Sequence, residues 1–386
     1  MKRSIRLLTI AGILSSLAAS TRADVEIRSP GSAPTKVTSD GSVVESWGTV
    51  CLKIVEPNDA QITEHRGEME PMPVAVTRRR AGEVTLTQSA YRAPVWPSGV
   101  DVLEAALTNH GTEAAKTELE LAVPEGMQIG DTTGTIGRLP SLLLPGDLPV
   151  IREEREWGYT DGVSALPGWA KPNVPCDPAF RNIAAGMGGV PIRYRFHVQP
   201  GAKRTVVLGF CESHHPTRGL RPLLVQVEGT EDRSVDPIAL WGRHVPGVLR
   251  FDAADADADG RLEIAIAPHP QARDRNPILN VLWVFETATR IDEAKLLAGE
   301  ANDQAERYVD VGGENDQSLY KPGNLRFTLE LAPNDHREFI FLLRSPDCRL
   351  FPDMSLGLWT HETLRKAAAD VWSDRWEEPA DPETPK

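Results

Sequence analysis

The sequence predicts a mainly β protein: two β-sandwich, jelly-roll-like domains followed by a C-terminal amphipathic helix. Three observations predict it. Short runs of period-2 alternation recur from Asp24 to Leu350, as in "EVTLTQSAY", "IRYRFHVQPGAKRTVVLGF", "RLEIAIAP" and "LRFTLELAPNDHREFIFLLR". Gly, Pro, Asn and Asp punctuate these runs, and the chain carries 31 glycines and 31 prolines. Strands follow strands without intervening helices, the pattern of sandwiches rather than of βαβ units.

Each element follows in order. Lys2, Arg3 and Arg6, the apolar run Leu7–Ala19 and the small residues to Ala23 have the form of a secretory signal peptide over residues 1–23. The mature chain is therefore expected to be secreted or periplasmic, without an integral membrane span. A first sandwich is expected over 24–131 and an irregular, proline-rich connection over 132–179. A second sandwich is expected over 180–286, and a helix with strands completing one of the sandwiches over 287–350. The helical spacing of Leu364, Ala367, Ala368, Val371 and Trp372 predicts a helix within 351–376, and 377–386 reads as a disordered tail.

Composition narrows the partners. A net charge of −13 argues against nucleic acid, whose phosphates would be repelled. It offers no polybasic attachment to an anionic membrane. Neutral polymers, small molecules or proteins remain. The chain contains no G-x-S-x-G elbow, H-E-x-x-H or P-loop.

The segment "PIRYRFHVQPGAKRTVVLGFCESHHPTRGLRPLLVQVEG", followed by "DADGRLEIAIAP" and "NPILNVLWVF", carries a recurring layout. Tyr194, Phe196 and Val198 precede Val207, Gly209, Phe210 and Glu212; Arg221 and Gly229 follow, then Gly260, Leu262, Ile264, Ile266 and Ile278-Leu279-Asn280. In this it resembles a malectin-like or galactose-binding-like module. The first sandwich resembles the N-terminal domain that precedes an (α/α)6 barrel in some glycosidases. "LRKAAADVWSDRW" is similar to their linker helix, but the sequence runs only ten residues past Trp376, so the catalytic barrel is expected to be absent. The resemblance implies sugar binding without hydrolysis, a carbohydrate being the expected partner. A polysaccharide hydrolase using carboxylates in a sandwich cleft and a scaffold holding a protein partner are the alternatives.

Sugar rings stack their C–H faces on flat aromatics while their hydroxyls pair with polar side chains. Trp157, Tyr159, Asp161, Trp169 and Trp241, all in expected loops, are the candidate ligand-binding residues, with packing beneath their own loops as the alternative. Asp255, Asp257, Asp259 and Gly260 match the first half of a calcium loop, but the twelfth position is Ile266 rather than a bidentate glutamate. The segment reads first as an acidic turn leading into a strand and second as a structural Ca2+ site. "CESHH" places Glu212, His214 and His215 after a strand, as a surface loop before a metal site. Cys51, Cys176, Cys211 and Cys348 permit two disulfides in an exported chain. Cys176 and Cys211 flank the start of the malectin-like segment, and a bridge between them would stabilise by roughly 3–4 kcal/mol.

Overall fold

The computed structural model describes residues 23–69, 71–94, 99–137, 139–146, 150–161, 163–287, 289–348 and 360–373. Apart from Ala23, the expected leader lies outside this set, as does the expected tail. The architecture is mainly β, as the alternation predicts. Two sandwiches are present, one inserted within the other.

The outer sandwich faces a seven-stranded sheet against an eight-stranded one. The first is ordered Val25–Ile27, Thr35–Val37, Val43–Glu45, Gly48–Glu56, Ala115–Ala122, Leu325–Leu331, Val150–Ile151. The second runs Gln128–Ile129, Thr133–Ile136, Leu139–Leu143, His336–Arg344, Val100–Asn109, Val84–Ala93, Val74–Ala81, Gln61–Glu68. Alternation explains the core. Leu103, Ala105 and Leu107 point inward from one strand, and they meet Leu52, Leu119, Phe327 and Phe341. Each such fully buried large side chain contributes about 1.5–3 kcal/mol.

One boundary differs from the sequence reading, and one alternative it left open is decided. Thr133–Ile136 and Leu139–Leu143 extend the eight-stranded sheet, so the stretch expected to be irregular belongs partly to the first sandwich. Leu325–Leu331 and His336–Arg344 complete that same sandwich, pairing with Ala115–Ala122 and Val100–Asn109. Pairing between segments some two hundred residues apart follows from complementary apolar faces, which no local pattern reveals.

The inserted sandwich opposes a five-stranded sheet to a four-stranded one. The five-stranded sheet is ordered Trp157–Tyr159, Ile192–His197, Arg261–Pro268, Leu223–Val227, Arg233–Val235. The four-stranded sheet is ordered Gly247–Ala254, Lys203–Phe210, Val281–Glu286, Arg307–Asp310. The four-stranded sheet is buried on both faces. Val206 and Leu208 face the five-stranded sheet, whereas Val207, Trp283 and Phe285 face a second core with Phe180 and Ile183.

Helices are few. Asp292 caps Glu293–Ala298 by accepting from the Ala294 and Lys295 N–H groups, and Gly299 ends it in the left-handed region at φ 79°. His361–Ser373 lays Leu364 and Ala368 on the outer face of the eight-stranded sheet beside Tyr91 and Val102, with Trp372 half-buried. Among the described residues no helix is long and apolar enough to cross a membrane.

Candidate functional site: a groove on the five-stranded sheet

Period-2 alternation divides three neighbouring strands between a core and an open face. Ile192, Tyr194 and Phe196 point inward, as do Leu223, Val225 and Val227, and Leu262, Ile264 and Ile266. Arg193, Arg195, Leu224, Gln226, Glu263, Ala265 and Ala267 therefore take the opposite face. Register aligns them: Ala265 pairs with Arg193 on one side and with Gln226 on the other, while Ala267 pairs with Leu224. Small side chains on the central strand, flanked by longer ones, leave a depression along the sheet.

The depression opens into a cleft of about 810 Å³ between the two sandwiches. Leu224, Ala267, Pro268 and Pro270 form its wall on the inserted domain, and Leu143, Phe339, Ile340 and Leu342 form its wall on the outer domain. Arg193 and Gln226 also border a second cavity of about 350 Å³, rimmed by Glu228, Asp232 and Glu263. Glu228 and Glu263 in turn border a third of about 340 Å³ with Asp257 and Asp259. These shared residues make one groove, apolar at the domain junction and acidic at its far end.

The polar groups are held in place. Gln226 donates from Nε2 to Asp232 at 2.8 Å. Arg195 donates from Nε to Glu263 at 2.9 Å. The Glu228 carboxylate accepts from the backbone N–H groups of Ala256 at 2.6 Å and Glu263 at 3.1 Å. Asp161 lies behind Arg193, and its Oδ2 is 3.5 Å from the guanidinium Nε. The Thr132 N–H and hydroxyl donate to Asp161 Oδ1 at 2.9 and 2.6 Å, while Oδ2 is buried without a hydrogen-bond partner. Burial is the dominant influence and raises this carboxyl to about 6, although Thr132 and Arg193 favour its charged form.

The five residues expected to bind a ligand do not converge. Trp157 stacks on Phe196 with centroids 6.0 Å apart and an interplanar angle of 5°. Tyr159 is core, edge-on to Tyr194. Trp241 stacks on Phe210 at 6.2 Å, and Gly247 leaves room for it, since a Cβ there would lie 2.1 Å from the indole. Asp161 alone reaches the groove, through Arg193.

Trp169 meets the "ESHH" segment. Its ring lies 6.2 Å from that of His214, with the Arg221 guanidinium carbon 5.7 Å from its centroid. Arg221 donates to Glu212 at 2.6 Å and to Asp274 at 2.5 Å; Asp274 also pairs with His215 at 2.8 Å. The Glu212 Oε1 accepts from the His214 and His215 N–H groups. These bonds tie loops together at one end of the inserted sandwich.

The aspartates at 255, 257 and 259 organise a turn. Asp255 accepts from the N–H groups of Gly201, Gly260 and Asp259 at 3.0, 2.9 and 3.2 Å. Ala258 and Gly260 take positive φ, 60° and 85°. The carboxylates that converge are Glu228, Asp255 and Asp257, with one oxygen from each within 4.8 Å of the others. A cation here would draw on Glu228, a residue the sequence spacing does not point to, in place of Asp259.

The expected Cys176–Cys211 bridge is not formed. Both are free thiols in the same apolar cluster, Cys211 fully buried, and burial raises its thiol to about 11. The sequence position that suggested the bridge brings the two residues into one cluster without bonding them.

The groove residues Arg193, Gln226 and Ala265 were missed from sequence. Their strands were recognised, and alternation alone would have placed them outward; the missing information was which strands are neighbours and in what register.

No protein-family model and no curated protein matches the chain. Among solved structures, it is similar to the ANXUR2 extracellular domain from Arabidopsis thaliana at 11% identity and a TM-score of 0.28, covering 68% of this chain and 95% of that one. It is also similar to a complex of the plant peptide RALF23 with FER and LLG2 at 10% identity and a TM-score of 0.29, covering 58% and 87%. A Bacteroides uniformis β-glucuronidase matches at 12% identity and a TM-score of 0.28, covering 61% of this chain and 30% of the enzyme. Similarity at this level assigns neither family nor activity.

Proposed function

We propose that this is an exported, non-catalytic carbohydrate-binding protein whose ligand lies in the groove across the five-stranded sheet. The observation that carries the reading is the row Arg193–Ala265–Gln226, fixed by strand register and bordered by an apolar strip. Sugars have both surfaces this row can serve, hydroxyl edges and C–H faces. Arg193 and Gln226 supply hydrogen-bonding groups at the floor; Leu224, Ala267, Pro268 and Pro270 supply apolar contact.

The rimming carboxylates already accept hydrogen bonds from Gln226, Arg195 and backbone N–H groups. That arrangement suits fixed recognition more than proton transfer to a leaving group. A glycan array with the purified mature chain, run beside a hydrolysis screen on the same sugars, tests the proposal. Binding without turnover is expected. Turnover would replace this reading with a hydrolase, and no binding to any glycan would remove it.

A further inference from the structure

One end of the inserted sandwich is unlike the rest of this acidic chain. Three loops, 168–175, 213–219 and 236–246, meet there. Asn173 N–H donates to the His244 carbonyl at 2.9 Å, and His244 N–H donates to the Glu212 carbonyl at 2.9 Å. Lys171 N–H donates to Ser213 Oγ at 2.8 Å, and Gly219 N–H donates to Asp236 at 2.5 Å. His244 takes φ 64°, a conformation that a non-glycine residue adopts only when its surroundings hold it. The loops thus form one fixed surface.

Their composition is one-sided. They contain Lys171, Arg218 and Arg243, all exposed, together with His214, His215 and His244. Asp236 is the one acid among them, and its carboxylate is occupied capping Pro237–Leu240 and holding Gly219. The acids next to these loops, Glu212 and Asp274, share Arg221 and so leave one negative charge beside three exposed cations. On a chain of net charge −13 this is a local reversal of sign. The same loops carry Val174 at 46% and Leu240 at 55% exposure; with Met69, these are the exposed large hydrophobic side chains among the described residues. Trp169 and Trp241 are partly buried beside them.

We propose that this end docks an acidic segment of a partner protein, with aliphatic or aromatic side chains of that segment resting on the exposed tips of Val174 and of Leu240. Charge complementarity selects the partner's sign, and the exposed aliphatics select its kind. An anionic polysaccharide would use the cations but gain little from two aliphatic tips, whereas a peptide side chain gains from burying them. Lys171, Val174, Arg218, Leu240 and Arg243 line none of the groove's three cavities, so variants at this surface test docking without touching the groove.

The test is selection of random short displayed peptides on the immobilised full chain, followed by titration of synthetic versions by fluorescence anisotropy. Selected peptides are expected to be rich in Asp and Glu around a hydrophobic residue, and to bind more weakly as salt rises. The double variant Lys171→Glu/Arg243→Glu and the single variant Leu240→Ser are each expected to weaken binding about tenfold or more. All three residues are exposed, and melting curves matching the wild type would show that the fold is kept. Selection without acidic enrichment, or affinity unchanged in both variants, would overturn the proposal. So would binding of polygalacturonate or heparin at this surface when no acidic peptide binds.

Discussion

Arg195 of the inserted sandwich donates to Asp131 of the outer one at 3.2 Å, and the pair sits at the seam between the domains. Tyr320, on the returning strand segment, donates its hydroxyl to the same carboxylate and accepts from Arg195 Nη1 at 3.1 Å. Arg195 is 12% exposed and also contacts Glu263 at 2.8 Å, so one guanidinium joins the seam to the groove.

Removing this arginine should loosen the seam rather than either core. Arg195→Ala is expected to cost about 1–2 kcal/mol, because the partly buried Asp131 and Glu154 lose the charge that compensates them, while the exposed Glu263 is screened by water. Calorimetry would check it: the variant should melt earlier and show separated transitions for the two sandwiches. One cooperative transition at the wild-type temperature would contradict this role.

Glu45 gives a pH signature. It is 5% exposed, and neither carboxylate oxygen has a hydrogen-bond partner. Burial, then the neighbouring Asp101 carboxylate, raise its carboxyl far above the ordinary value of 4.5, despite Arg92 and Arg344. The folded chain therefore keeps a proton that the unfolded chain releases, so Glu45's contribution to stability falls as pH rises above about 4.5. Glu45→Gln mimics the neutral acid. Its stability advantage over the wild type should grow between pH 5 and 8, by at most about 1.4 kcal/mol per pH unit. Denaturant melts across that range measure it, and a pH-independent difference would be the contrary result.

At the acidic turn, Asp255 and Asp257 have different jobs. Asp255→Ala leaves the Gly201 and Gly260 N–H groups without their acceptor, so it should lower the melting temperature in calcium and in chelator alike. The expected Ca2+ is a separate proposal: if it binds, it raises the wild-type melting temperature, and both Asp257→Ala and Glu228→Gln abolish that rise. Identical wild-type curves in calcium and chelator would leave only the turn.

Much of the fold was legible because its elements are local. Alternation marked Arg261–Pro268 and Leu223–Val227 as strands, and the helix expected within 287–350 is present as the short Glu293–Ala298. The insertion was not legible, since nothing near Leu325 states that its partner is Leu121. The site was read by residue type, which favoured tryptophans. Trp157 and Trp241 instead found aromatic partners in Phe196 and Phe210, as large apolar side chains do when one is within reach. Ala265 gave no chemical signal at all. Its part in the proposed groove is what its small side chain leaves open, and that depends on Arg193 and Gln226 being its neighbours.

Ala265 therefore provides the most direct test of the account. Titration calorimetry should compare the wild type, Ala265→Phe and Trp169→Ala on a glycan that the array identifies. Ala265 points away from the core, so a phenyl ring there fills the groove floor without disturbing Ile264 or Ile266. The account predicts that Ala265→Phe binds at least about a hundredfold more weakly, a loss of about 2.7 kcal/mol. Its melting temperature should be unchanged, and Trp169→Ala should bind as the wild type does. Undiminished binding by a folded Ala265→Phe, with loss in Trp169→Ala, would contradict the groove and return the site to the tryptophan loop.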